Sequence, residues 1–284
     1  MSQVSHNDWN PLVSSIQTIM TSWGVGYSSY AVATGNTVNH NDFNALVSDI
    51  NVCYQHIYGT NSSISTVAQG TRISQAYLTN ASAAVSNIVT NRYAATSSIR
   101  TQVTFYDSGN VPVGPFNSYW TVQWTVNWGS SSAYQLFWNN GGYFEFATGG
   151  GGGSNGQSVE IGKLFQNMGV LVMTANSCYQ SGQTWTGTIY FQGALNAASG
   201  GSTWLYLSNP DSSYTADYMT VAYTPNGTFT SASSAVVTLA VYNGRTTLGG
   251  APNTILTSGE GVFYLNYVNG HSLSSITLTS QTTV

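Results

Sequence analysis

The sequence predicts a mainly β chain: an N-terminal α-helical region followed by an antiparallel β-sandwich of jelly-roll-like build. Three observations predict it. Over residues 4–58 the apolar positions advance by three and four, the spacing of one helix face. From about Thr101 the period becomes two, with Trp120, Val122, Trp124, Val126 and Trp128 alternating with Thr121, Gln123, Thr125 and Asn127. Gly-bearing turns then separate short strands: Asn139-Asn140-Gly141-Gly142, Pro225-Asn226-Gly227, Asn243-Gly244 and Asn269-Gly270. Short strands so punctuated indicate two antiparallel sheets.

Composition sets the chemical bounds. Only 5% of the 284 residues are charged, against roughly 25% in an ordinary soluble domain. The cations are Arg72, Arg92, Arg100, Lys163 and Arg245, and the formal net charge is −4. Solubility falls to Ser, Thr, Asn, Gln, Gly and Tyr. Such a surface has little electrostatic energy to lose to salt or pH, which suits an extracellular or particle-surface protein. So few cations form no basic patch, so nucleic acid is not an expected partner. Met1–His6 has no basic region and no apolar run, so no signal peptide is expected. No stretch of about 18 apolar residues predicts a membrane span.

Taken in order, the first element is a repeat. His6-Asn7-Asp8-Trp9-Asn10-Pro11-Leu12-Val13 matches His40-Asn41-Asp42-Phe43-Asn44-Ala45-Leu46-Val47. Trp9, Leu12, Val13, Ile16, Ile19, Met20 and Trp23 form one helical stripe, and Gly24 and Gly59 are plausible stops. Val4-Ser5-x-x-Asp8-Trp9 fits a capped start with a Val4–Trp9 staple, and Val38-Asn39-x-x-Asp42-Phe43 repeats it. Pro11 argues instead for Asp8 as N-cap, and both registers stay open. Either way His-Asn-Asp reads as helix initiation rather than as metal ligands. His56 and His271 have no paired ligand spacing. Two short helices bury little between them. The stripes carried by Trp9, Leu12, Ile16, Phe43, Leu46 and Ile50 are therefore expected to be covered by a further partner, from this chain or a neighbouring subunit.

Residues 61–100 are a linker or a stalk. Ile73, Tyr77, Ala81, Ala84, Ile88 and Ala95 follow a rough four-three spacing, with Asn91 in the gap. This suits a short coiled coil, in which Ile73, Tyr77, Ala84 and Ile88 would face sister chains. The many Ser, Thr and Asn residues favour an irregular linker, and both readings stand. The boundaries are thus 1–60 for the anchor, 61–100 for the linker or stalk and 101–284 for the sandwich. Gly149–Gly153 reads as a mobile loop. Cys53 and Cys178 read as buried free thiols, with a disulfide between them as the alternative.

The search for chemistry turns up little. Glu145, Glu160, Asp211, Asp217 and Glu260 are acids by type, with nothing pairing two of them across a cleft as a glycosidase requires. There is no Gly-x-Ser-x-Gly, His-Glu-x-x-His or Cys-x-x-Cys. Asn209, Asp211 and Asp217 read as a turn before they read as a Ca²⁺ loop. No catalytic residue, metal site or cofactor is expected. Trp204, Tyr206, Tyr214 and Tyr218 could stack on sugar rings if exposed; period-two burial is the alternative, and Tyr223 belongs to the same cluster.

Leu136-Phe137-Trp138-Asn139-Asn140-Gly141-Gly142-Tyr143-Phe144-Glu145-Phe146 resembles an aromatic–aromatic–Asn–Ser/Ala–Gly–Gly segment of virion proteins of tailed bacteriophages. There it follows a Thr/Val/Trp-rich strand, as Trp120–Trp128 does here. Leu164-Phe165-Gln166-Asn167-Met168-Gly169 resembles a later apolar–x–x–Asn–Met–Gly element, and the His-Asn-Asp-aromatic-Asn-x-Leu starts are similar to segments of such proteins. The likeness covers residues 119–173 and, more loosely, 4–58; position 140 departs from it by being Asn. It implies a non-enzymatic structural part of a virion, of tail, neck or fibre type. Such a part is made in the host cytoplasm, docks to other virion proteins through its N-terminal helices, and forms a homo-oligomer, preferably a trimer. The alternative reading is a host-surface glycan-binding adhesin.

Overall fold

The computed structural model describes residues 4–96, 100–106, 119–148, 169–175, 178–181, 188–189, 202–208, 218–242, 261–268 and 276–283. The chain divides into two compact units. The first is Met1–Thr101 with Asn139–Gly141 and Val268–Ser272; the second holds the remainder.

The first unit contains three helices, α1 (His6–Ser22), α2 (His40–Tyr58) and α3 (Gln75–Asn91). Ser5 is the N-cap of α1, its side chain accepting from Asp8 N, which decides the register; Pro11 lies inside the helix. Asn39 caps α2 through a full capping box with Asp42. Ser74 is the N-cap of α3. The residue before each cap is buried (Val4, Val38 and Ile73), and so is the fourth residue after it (Trp9, Phe43 and Leu78). The same staple therefore starts all three helices. Ser5 to Asn39 is 34 positions and Asn39 to Ser74 is 35, so α3 is a third copy of the repeat.

An extended segment returns from each of the first two helices to the start of the next, and matched side chains pin it. Asn10 Nδ2 donates to Val32 O at 3.1 Å, while Val32 N donates to Asn10 Oδ1 at 2.8 Å. Asn44 does the same to Val67, at 2.9 and 2.8 Å. Both segments then turn in a Val-Ala-x-Gly sequence. Asn36 N donates to Ala33 O and Thr71 N to Ala68 O. Gly35 and Gly70 take φ of 87° and 80°, where a Cβ is disfavoured.

The first return segment is held by a second device. Asp49, on α2 and 2% exposed, accepts from Ser28 N at 2.9 and 3.0 Å and from Ser29 N at 2.7 Å. Two main-chain donors thus compensate a desolvated carboxylate.

These helices share one core. Trp9, Ile16, Phe43, Leu46 and Ile50 are fully buried in it, and Leu12 packs partly buried against it. Ile73, Ala84 and Ile88 lie in the same core, with Tyr77 packed against it. One expectation changes accordingly, and one open alternative closes. Residues 75–91 are helical, but their apolar stripe packs on α1 and α2 and is not left over for a coiled-coil stalk. The anchor stripes are likewise covered from within the chain, because a third helix supplies the area that two lacked.

Among the described residues the second unit contains two sheets. One has the order β1-β10-β3-β4-β5, from β1 (Arg100–Tyr106), β3 (Tyr143–Thr148), β4 (Val170–Met173), β5 (Cys178–Ser181) and β10 (Gly261–Val268). The other has the order β11-β2-β9-β8-β7-β6, from β2 (Tyr119–Asn127), β6 (Thr188–Ile189), β7 (Ser202–Ser208), β8 (Tyr218–Pro225), β9 (Ser234–Tyr242) and β11 (Thr277–Thr283). Within them β10-β3-β4-β5 and β11-β2-β9-β8-β7-β6 pair antiparallel. The alternation read over 120–128 places Trp124 and Val126 in the core from β2, with Val237 and Leu239 from β9 and Met219, Val221 and Tyr223 from β8.

A helix, α4 (Ser131–Asn139), sits between β2 and β3 in sequence. Ser130 Oγ accepts from Ala133 N at 3.1 Å at its start. Tyr134, Phe137 and Trp138 are fully buried and meet Trp128, Phe144 and Tyr223 in a cluster of mostly tilted and edge-on rings. The hydroxyls of Tyr134 and Tyr223 lie 2.6 Å apart inside it.

The expected fold class is overturned. Among the described residues four helices stand beside the strands, and these residues are mixed α and β rather than mainly β. Nor is the second unit a jelly roll. Its aromatic core is built round α4, and β6 to β9 follow one another as sheet neighbours instead of crossing between sheets.

Candidate functional site

A groove of about 740 Å³ opens on the first unit, between α2, α3 and the second return segment. Its walls are Tyr54 of α2, Tyr77, Asn80, Ala84 and Asn87 of α3, and residues 62–68 of the segment. Each wall is set by the repeat. The Asn44 clamp fixes Val67, Asn51 Oδ1 accepts from Ser62 N at 2.9 Å, and Ala84, 35 positions after Asp49, lines the groove together with Ser63 and Ile64.

One end carries an ordered polar network. Tyr58 Oη donates to Asn87 Oδ1 at 2.8 Å, Asn87 Nδ2 donates to Tyr54 Oη at 3.3 Å, and Asn91 Nδ2 donates to Asn87 Oδ1 at 2.6 Å. The Tyr54 and Tyr58 rings pack at 5.2 Å. Loss of hydration, then the neighbouring Tyr54, pushes the Tyr58 hydroxyl above the ordinary tyrosine range, so it stays a donor at neutral pH. Tyr77 sets its ring edge on Phe43 at 5.4 Å. None of the wall residues carries a charge. The groove offers hydroxyls, amides, main-chain donors and ring faces, which is chemistry for binding a polar ligand. It holds no acid–base pair of the kind hydrolysis needs.

The residues singled out from sequence fall elsewhere, apart from Tyr77 and Ala84, which line the groove. Tyr218 is half-buried and stacked on Tyr242 at 4.3 Å, and Tyr223 is in the core. Trp204 and Tyr206 lie on β7, and Tyr214 lies outside the described residues. Glu145 is on β3; Glu160, Asp211, Asp217 and Glu260 lie outside the described residues, as do Asn209, His271 and Gly149–Gly153.

Cys53 is a buried free thiol, pushed up to about 12 by burial and then by Asp49. Cys178 is on β5. His56 is buried and stacks on Trp23 at 4.0 Å. Among the described residues no group of three or more His, Cys, Asp or Glu side chains could hold a metal ion, and no helix is long and apolar enough to cross a membrane.

No family model, curated protein or solved structure matches the chain.

Proposed function

We propose that this chain is a non-enzymatic structural component of a tailed-phage virion, of tail, neck or fibre type. The observation that carries the reading is the role of residues 136–146, the segment that resembles phage virion proteins. Phe137, Trp138, Phe144 and Phe146 are buried, and Gly142 N donates to Phe137 O at 2.8 Å where the chain reverses. A segment whose aromatic side chains serve packing is what a shared architectural element needs. The uncharged polar composition supports the same reading, since such a surface keeps its properties outside a cell.

Attachment in this proposal does not use the apolar helix faces, which are spent on the core. It uses exposed side chains of the first unit, where Tyr30 is 67% and Tyr27 is 40% exposed. The coiled-coil ground for a trimer is withdrawn with the stalk, so light scattering of the purified protein has to supply the oligomer number.

Mass spectrometry of gradient-purified particles of the encoding phage tests the proposal. A fixed copy number per particle is expected. Abundance in the lysate with absence from the particles would overturn it.

A further inference from the structure

We infer that the groove between α2, α3 and residues 62–68 is a binding site for a carboxylate-bearing saccharide. The inference stands apart from the virion reading and rests on a comparison of two copies of one repeat within the chain. In the first copy the return segment presents the main-chain N–H groups of Ser28 and Ser29, and Asp49 reaches across from the following helix to accept both. The second copy is aligned by the paired clamps to Val32 and Val67, by the Gly35 and Gly70 turns, and by the N-caps Asn39 and Ser74. All three pairs are 35 positions apart. On that spacing Ser28 and Ser29 become Ser63 and Ile64, and Asp49 becomes Ala84.

Ser63, Ile64 and Ala84 all line the groove. An acceptor that closes the first copy is therefore replaced in the second by a methyl group, and a cavity stands there. Ile64 N is left with a long 3.4 Å contact to Ser62 Oγ. In the first copy the group that fits this backbone is a carboxylate, held by main-chain donors without a cation. The same chemistry is the complement of the second.

The rest of the groove says what should bear the carboxylate. Ala84 already occupies the helix position, so the ligand must enter as a small molecule or chain end rather than as another helix. A volume of about 740 Å³ is that of a small-ligand site. Tyr54 and Tyr77 offer ring faces, and Asn80 offers an amide suited to hydroxyls. A uronic acid combines these features.

The test is NMR titration of the full chain with D-galacturonate, D-galactose and acetate. Galacturonate is expected to bind saturably and about tenfold or more tighter than either control, since two charge-assisted bonds and the ring contacts act together. Ala84→Asp restores the in-chain carboxylate of the first copy and should abolish binding. Asn80→Asp, at an exposed wall position, should weaken galacturonate about fivefold by repulsion and galactose by less, since the neutral sugar loses only an amide contact. Equal binding of galactose would overturn the carboxylate, equal binding of acetate would overturn the saccharide, and no binding of galacturonate would overturn both. Wild-type affinity in folded Ala84→Asp would also overturn the inference. If that variant does not fold, unchanged affinity in Asn80→Asp does so instead.

Discussion

Asp49→Ala tests whether the buried carboxylate holds the first return segment to α2. The side chain accepts three contacts of 2.7–3.0 Å from two main-chain donors. Truncation leaves both N–H groups without this acceptor, at about 1–3 kcal/mol each. Relief of the desolvated charge returns part of this, so a net loss of about 2–4 kcal/mol is expected. Asn at the same position retains one acceptor oxygen but brings an N–H₂ group toward the donors, and should recover less than half. Urea unfolding followed by helical circular dichroism reads the loss as a midpoint shift of about 1–2 M. Hydrogen exchange of the Ser28 and Ser29 amides reads it locally, with protection falling in both variants. A loss under about 0.5 kcal/mol with unchanged amide protection would refute the reasoning, because the segment would then be held by its other contacts alone.

Asn10→Ala and Asn44→Ala remove equivalent clamps and should cost similar amounts, about 1–2 kcal/mol each in urea unfolding; a large cost at one site and none at the other would contradict their equivalence. Alkaline stability should fall from about pH 9 upward. The Cys53 thiol is held up to about 12 and burial raises the Tyr134 and Tyr223 hydroxyls. These groups stay protonated in the fold while the unfolded chain loses their protons, so their stabilisation is complete below the unfolded values and drains away above them. Each contributes a slope of about 1.4 kcal/mol per pH unit in that window, and Tyr223→Phe should make the thermal-melt profile shallower. Gly142→Ala would place a Cβ 2.4 Å from Phe137 O and 2.7 Å from its ring. It should cost about 3 kcal/mol or more and flatten the near-ultraviolet circular dichroism of the aromatic cluster.

Where local signals were strong, the sequence and the structure agree. The repeated His-Asn-Asp-aromatic starts locate α1 and α2, and the alternation over 120–128 locates β2. The third copy is faint in the sequence because α3 has lost that signature and keeps only an apolar staple, a small cap and a matching burial ladder. Short side chains fill the ladder there, Ala81 and Ala84 among them, so its periodicity reads as a weak coil seam. The helix α4 was hidden for a different reason. Over nine residues Tyr134, Phe137 and Trp138 give too few turns to declare a period, and aromatics between two strands read as strand. Ser, Thr and Asn are so common in this chain that the groove walls do not stand out. The exchange of Asp49 for Ala84 at matched positions was the one readable trace of the groove, and it needed the third copy to be seen first.

The paired Val-Ala-x-Gly turns also make the joins between successive helices locally equivalent. Excising residues 39–73 would join Val38 to Ser74, placing a buried apolar residue directly before an N-cap, as at every other helix start. The following helix would meet the same clamp-and-turn geometry on its upstream side. Insertion of one further unit at that junction would preserve it equally. The joins are thus interchangeable between repeats, while the shared core, which needs the area of all three helices, holds their number fixed.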